Sequence, residues 1–168
     1  VGILVLAAVF TLGHDAAAQN AKFGHINSDE LFQAMPERDT VLAELEALRT
    51  DLSNTLEIMS VEYNNKLNDY NETVETLSDI VRQTKEEELV QFQQRLANFQ
   101  QNADAQMQQS QMELMQPLIQ KAEKAIKDVG REGKYLYIFD LARGPIIYFD
   151  EENSTDILPL VKAKLGIQ

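Results

Sequence analysis

Apolar residues recur every three or four positions through the middle of the chain. Going out they are Leu48, Leu52, Leu56, Met59, Tyr63, Leu67, Tyr70, Val74 and Leu77; returning they are Leu89, Phe92, Leu96, Phe99, Ala103, Met107, Ser110, Leu114 and Leu118. Such spacing puts each set on one face of a helix. Read backwards from Leu77 the intervals are 3, 4, 3, 4, 4, 3, 4, 4, and forwards from Leu89 the series is the same. The two stripes mirror each other about Gln83. Folding the chain there predicts an antiparallel helical hairpin in which Leu77 meets Leu89, Val74 meets Phe92, Tyr70 meets Leu96, Leu67 meets Phe99, Tyr63 meets Ala103 and Met59 meets Met107. Thr84 and Glu87 supply a capping box for the returning helix. The 3-4-4 stretches approach an 11-residue repeat, which runs straight or slightly right-handed. Each limb of ~44 residues would reach roughly 65 Å.

The flanks have a different texture. Between about Arg38 and Val129 there is no glycine and one proline, so the arm is assigned to residues 38–128 with its tip near 80–85. Lys22–Asn27 alternates like a strand. Beyond Gly130 and Gly133, which read as a helix end, Tyr135–Phe139 and Ile146–Phe149 are aromatic and β-branched runs around Ala142-Arg143-Gly144-Pro145, the chemistry of a β-hairpin. Asp156–Leu165 reads as a short helix with Pro159 in its first turn and Gly166 at its stop. The predicted fold is α+β: a small β-rich body, discontinuous over 19–37 and 129–168, carrying one long antiparallel α-helical hairpin, a coiled-coil arm. Three strands with open edges bury little, so the body is expected to assemble between copies through Phe23, Ile26, Tyr135, Tyr137, Phe139, Ile147 and Phe149.

Charge narrows the partners. Fifteen basic against 27 acidic side chains give a formal net charge of −12, which argues against nucleic acid or an anionic membrane surface as the main partner. Val1–Leu12 is almost wholly apolar and precedes Ala16-Ala17-Ala18, the pattern of a signal peptide over residues 1–18 whose own start is missing; a buried N-terminal strand or helix is the competing reading. Cleavage after Ala18 would leave a net charge of −11.

Convergent reactive groups are scarce. The histidines are His14 and His25, and there is no cysteine. Glu86-Glu87-Glu88 reads as a solvated charge run before it reads as a cation site, and Asp140 and Asp150 read as strand-end and turn residues before they read as an acid–base pair. No enzyme, cofactor or metal site is expected. Met59, Tyr63, Leu67, Tyr70, Val74, Leu77, Leu89, Phe92, Leu96, Phe99 and Met107 are seam residues first, and possible contacts for an apolar client second. Polar residues outside the seam leave the arm soluble, thinly stabilised and flexible.

In the order of its parts the chain resembles the periplasmic chaperone family Skp (OmpH-like). The resemblance rests on Phe-Gly-His-Ile-Asn-Ser-Asp-Glu-Leu-Phe-Gln-Ala-Met-Pro-Glu from Phe23 to Glu37, on the breakerless hairpin, and on the ending from Tyr135 through Asp140, Ile147–Asp150 and Asp156–Gly166. It implies a homotrimer in the periplasm, with the strands forming the trimer body and the arms enclosing a cavity for unfolded outer-membrane proteins, held without ATP. Two departures matter. Better-known members are strongly basic, whereas Val61–Gln111 carries four basic and nine acidic residues, which argues against electrostatic capture of lipopolysaccharide. Leu158 stands where relatives often place a capping Thr before the Pro, leaving Asp156 or Thr155 to cap. The alternative function is a structural coiled-coil adaptor that bridges folded envelope proteins and binds a partner near Gln83. The tip lacks a conspicuous apolar patch in sequence, which favours the chaperone.

Overall fold

The computed structural model describes residues 21–167, so the segment read as a signal peptide lies outside the described residues. Strand β1 (Phe23–Ile26) leads into helix α1 (Ser28–Ala34), and helices α2 (Glu37–Thr73) and α3 (Asp79–Glu132) follow. Strands β2 (Tyr137–Asp140) and β3 (Ser154–Asp156) and helix α4 (Leu158–Leu165) complete the chain.

Local chemistry sets each boundary. Asn27 caps α1 by accepting from the backbone N–H groups of Asp29 and Glu30. The Ser28 N–H is taken by Oδ1 of Asp140 at 3.1 Å, so the first three N–H groups of the helix are satisfied, and the Leu31 N–H makes the first regular helical bond to the Asn27 carbonyl. Pro36 forbids continuation and holds Met35 extended, which separates α1 from α2. At the far end of α3, Gly133 donates to the Val129 carbonyl, Tyr135 to Gly130, and Lys134 takes the left-handed conformation at φ 53°. The helix therefore runs through Gly130. Glycine there leaves room for the end of the Ile138 side chain: a Cβ would come within 2.9 Å of its Cδ1, which would have to shift. Ahead of α4 the Leu158 N–H donates to Oδ1 of Asp156, one of the two residues expected to cap it.

Two expectations are corrected. The segments around Ala142–Pro145 do not pair as a β-hairpin. The sheet order is β2-β1-β3, with both outer strands parallel to β1. Ile146–Phe149 is not a strand; it belongs to the return that carries the chain back so that β3 can pair in parallel. The break between the long helices also lies earlier than Gln83. A 3₁₀ turn at Val74–Thr76 and extended Leu77 and Ser78 form it, and the Ser78 carbonyl accepts from Arg82. Thr84 is inside α3, its hydroxyl donating to the Ile80 carbonyl, and Glu87 accepts from Gln83.

The moved break changes who faces whom. Lys85 pairs with Asp69, Tyr70 donates to Glu86, Tyr63 packs on Phe92 with ring centroids 6.0 Å apart, and Lys121 pairs with Glu37. Partners further along α2 thus lie earlier on α3. Tyr63 meets Phe92 in place of Ala103, a slip of one 11-residue unit. The stripe almost repeats after that interval, so either register keeps apolar against apolar, and the turn chemistry at Leu77-Ser78 decides.

The core sits in the body. Ile26, Leu31, Met35, Leu118, Ala122, Ala125, Val129, Ile157, Leu158 and Val161 form it, where α1, the end of α3 and α4 close on the inner face of the sheet. Asp140 ties the end of β2 to the start of α1. Burial pushes its carboxyl up, but hydrogen bonds from Ser28 and the Ala142 backbone, with Arg143 nearby, outweigh this and hold it below the ordinary carboxylate value. A depressed folded value means stability present above the ordinary carboxylate range and lost as pH falls through the folded value. Asp140→Ala should therefore cost about 1–3 kcal/mol at neutral pH. Thermal melts across pH should show the gap between variant and parent closing in acid; a constant gap would remove the charge from the account.

Candidate functional site

Two surfaces bring together the residues singled out in the sequence. The first is the outer face of the sheet. In register, Phe23 lies beside Tyr137 and Ser154, and His25 beside Phe139 and Asp156. Alternation puts these side chains on one face, while Gly24 and Ile26 are buried on the other. The Phe23 ring stacks with Tyr137 at 6.3 Å and with Phe139 at 6.5 Å. Phe149 leans on His25 at 4.7 Å, and His25 Nδ1 is 2.8 Å from Ser154 Oγ. Little covers this face: Tyr137 is 60% exposed and Phe139 42%, while Ile147, in the return after β2, is fully exposed. Two of the seven residues named for the body lie elsewhere. Ile26 is in the core, and Tyr135 packs against it with Lys22 over its ring at 4.1 Å. Alternation with Phe23 separates Ile26; Tyr135 shares the parity of Tyr137 and Phe139 but lies before β2 begins, so alternation does not separate it.

The second surface is the arm. Met59, Tyr63, Leu67, Tyr70, Val74, Leu77, Leu89, Leu96, Phe99 and Met107 are all half-buried, and Phe92 is buried at 3% exposure. Among the described residues of the arm between Val41 and Leu118, Phe92 alone is buried. Arg95 lies over its ring at 4.6 Å from the centroid. α2 and α3 thus touch along one strip and leave the rest of two helices, about 55 and 80 Å long at 1.5 Å per residue, to solvent.

Some features were not legible beforehand. Leu52 and Leu56 stand across from Phe99, Ala103 and Met107 around a cleft of about 500 Å³. Past the turn, Ile80 is 79% exposed, with Val81 and Val90 also open, so the tip region carries exposed apolar side chains, spread around α3 and not gathered in one patch. Val90 is off the stripe, and Ile80 and Val81 fall in the gap between Leu77 and Leu89 that the seam reading left to the tip.

The titratable candidates have local duties. Asp150 accepts from the Asn153 side chain and the Glu152 backbone, in that order of effect, which holds its carboxyl low. Glu86 accepts the Tyr70 hydroxyl, and that bond raises the phenol above its ordinary value. No group of three His, Cys, Asp or Glu is placed to hold a metal ion among the described residues, and no described helix is long and apolar enough to cross a membrane.

Residues 22–165 match the family described as outer membrane protein (OmpH-like). No curated protein matches the chain.

Proposed function

Since this chain belongs to the OmpH-like family, a family of outer-membrane-protein chaperones that is periplasmic in bacteria, we propose that it is an ATP-independent holdase. In this reading, three copies cage an unfolded outer-membrane protein. α2 and α3 form an antiparallel hairpin, and the trimer closes over the outer face of the sheet. Phe23, Tyr137, Phe139, Ile147 and Phe149 become its interior, so the uncovered aromatic face of one subunit is satisfied by two others. Arms projecting from such a body surround one client and keep it from its own kind.

The observation that supports the reading most directly is the poverty of the arm's own packing. Two helices of 37 and 54 residues bury one side chain between Val41 and Leu118. A seam so thin leaves half-buried Met, Tyr and Phe side chains free to exchange internal contacts for external ones. Many weak contacts sum to avidity, and release requires only that the folded client bind worse than the unfolded one. The test is light scattering from an unfolded β-barrel membrane protein diluted out of urea with this chain present. Suppression at about one trimer per client is expected; continued aggregation at large excess would end the proposal.

An adaptor function is the second reading, favoured by exposed Ile80, Val81 and Val90. Replacing all three by serine separates the two: a holdase keeps most of its suppression, whereas an adaptor loses its single folded partner.

A further inference from the structure

We propose that the cleft on the arm between Leu52 and Ala103 is a socket for one aromatic side chain of a client in extended conformation. The inference rests on the holdase reading and adds to it a place and a chemistry.

The socket follows from the register. One 11-residue unit of α2, Leu52 to Tyr63, faces one of α3, Phe92 to Ala103. At one end of this unit two rings meet, Tyr63 on Phe92 at 6.0 Å. At the other end a leucine faces a methyl group, and beside that pair lies a cleft of about 500 Å³ whose apolar lining is Leu52, Leu56, Phe99, Ala103 and Met107, room for a ring together with its adjoining backbone. That volume is within the range of clefts that take small ligands. The five apolar residues of the lining are each half-buried, so the cleft is open to solvent on one side.

Chemistry at the mouth selects the occupant. Arg49 and Asp104 stand exposed beside the cleft, and neither is held by an ion pair among the described residues. An arginine there can lie over an entering ring, as Arg95 does over Phe92 on the same arm. Asp104 offers an acceptor to a peptide N–H. One charge of each sign suits a neutral backbone, which brings both donor and acceptor, better than it suits a charged ligand. Phe99 and Met107 give a wall that adapts to rings of different shape. Strands of membrane barrels alternate apolar with polar residues and carry aromatics at their girdles, so such a segment in extended form presents apolar side chains to one side at every second residue, with rings near its ends.

Methionine methyl groups make the test local. With ¹³C-methyl methionine, Met107 reports from inside the cleft and Met112, 67% exposed, from outside it. The probe is a short acetylated, amidated peptide alternating tyrosine with threonine. Its addition should shift the Met107 signal and leave Met112 in place, and a serine–threonine peptide should shift neither. Ala103→Leu narrows the cleft where it faces Leu52 and should abolish the Met107 response while keeping the helical circular dichroism. Arg49→Gln touches no buried group; it should weaken the tyrosine peptide and leave a leucine–threonine peptide unchanged. Equal shifts at Met107 and Met112, or a Met107 shift that survives Ala103→Leu, would overturn the socket. A Met107 shift that tracks protein concentration without peptide would make a second copy the occupant and overturn it too. A chain that suppresses aggregation while Met107 stays still refutes the socket and leaves the holdase standing. A chain with no suppression refutes the holdase itself.

Discussion

Replacing Phe92 with alanine is expected to unfasten the arm without unfolding the body. Phe92 is 3% exposed, with Tyr63 and Arg95 on it, and no other residue between Val41 and Leu118 is buried among those described. Phe→Ala at a buried site costs about 3–5 kcal/mol, and here the loss falls on a local opening step. Amide exchange between Leu56 and Phe99 should quicken by about a hundredfold or more, while protection in α4 and β1 holds. Exchange that rises only at the immediate neighbours of Phe92 would mean that the arm's cohesion is spread along the half-buried stripe.

The second large effect belongs to the body. Leu31 is fully buried, in a core of ten residues that draws on α1, α3, α4 and β1. Leu31→Ala should remove about 2–5 kcal/mol. In so small a body this lowers the melting temperature by roughly 10 °C or more. Near-ultraviolet circular dichroism from Tyr135 and Tyr137 should disappear at the lower temperature, while much of the helical signal persists in the arm. A melting temperature within a few degrees of the parent would show that α1 contributes little to holding β1 and α4 together.

How far the sequence could be read depends on which interactions decide each feature. The stripe from Leu48 to Leu77 and from Leu89 to Leu118 was legible because helix periodicity is local, and every member is at least half-buried. The turn was not. Thr84 and Glu87 match a capping box by residue type, but Ser78 starts the helix earlier, and a near-repeat of eleven residues tolerates both registers. In the body, Phe23, Tyr137 and Phe139 were legible as one aromatic set from alternation. The strand pairing was missed because hairpin chemistry at Ala142–Pro145 is a local signal, whereas parallel pairing of Tyr137–Asp140 and Ser154–Asp156 with one central strand is decided by distant contacts. The cleft at Ala103 lay in a residue already assigned to the stripe; only the register showed that its partner is Leu52.

A seam built from such units makes reach a modular property. Deleting Leu52–Glu62 together with Phe92–Asn102, or duplicating both, returns the same facing residues to the same contacts on either side of the cut. The turn at Val74–Ser78 and the salt bridge of Lys121 with Glu37 at the base would be unaware of the change. Arm length can therefore be changed in steps of about 16 Å through paired insertions or deletions, with the turn and the body left as they are.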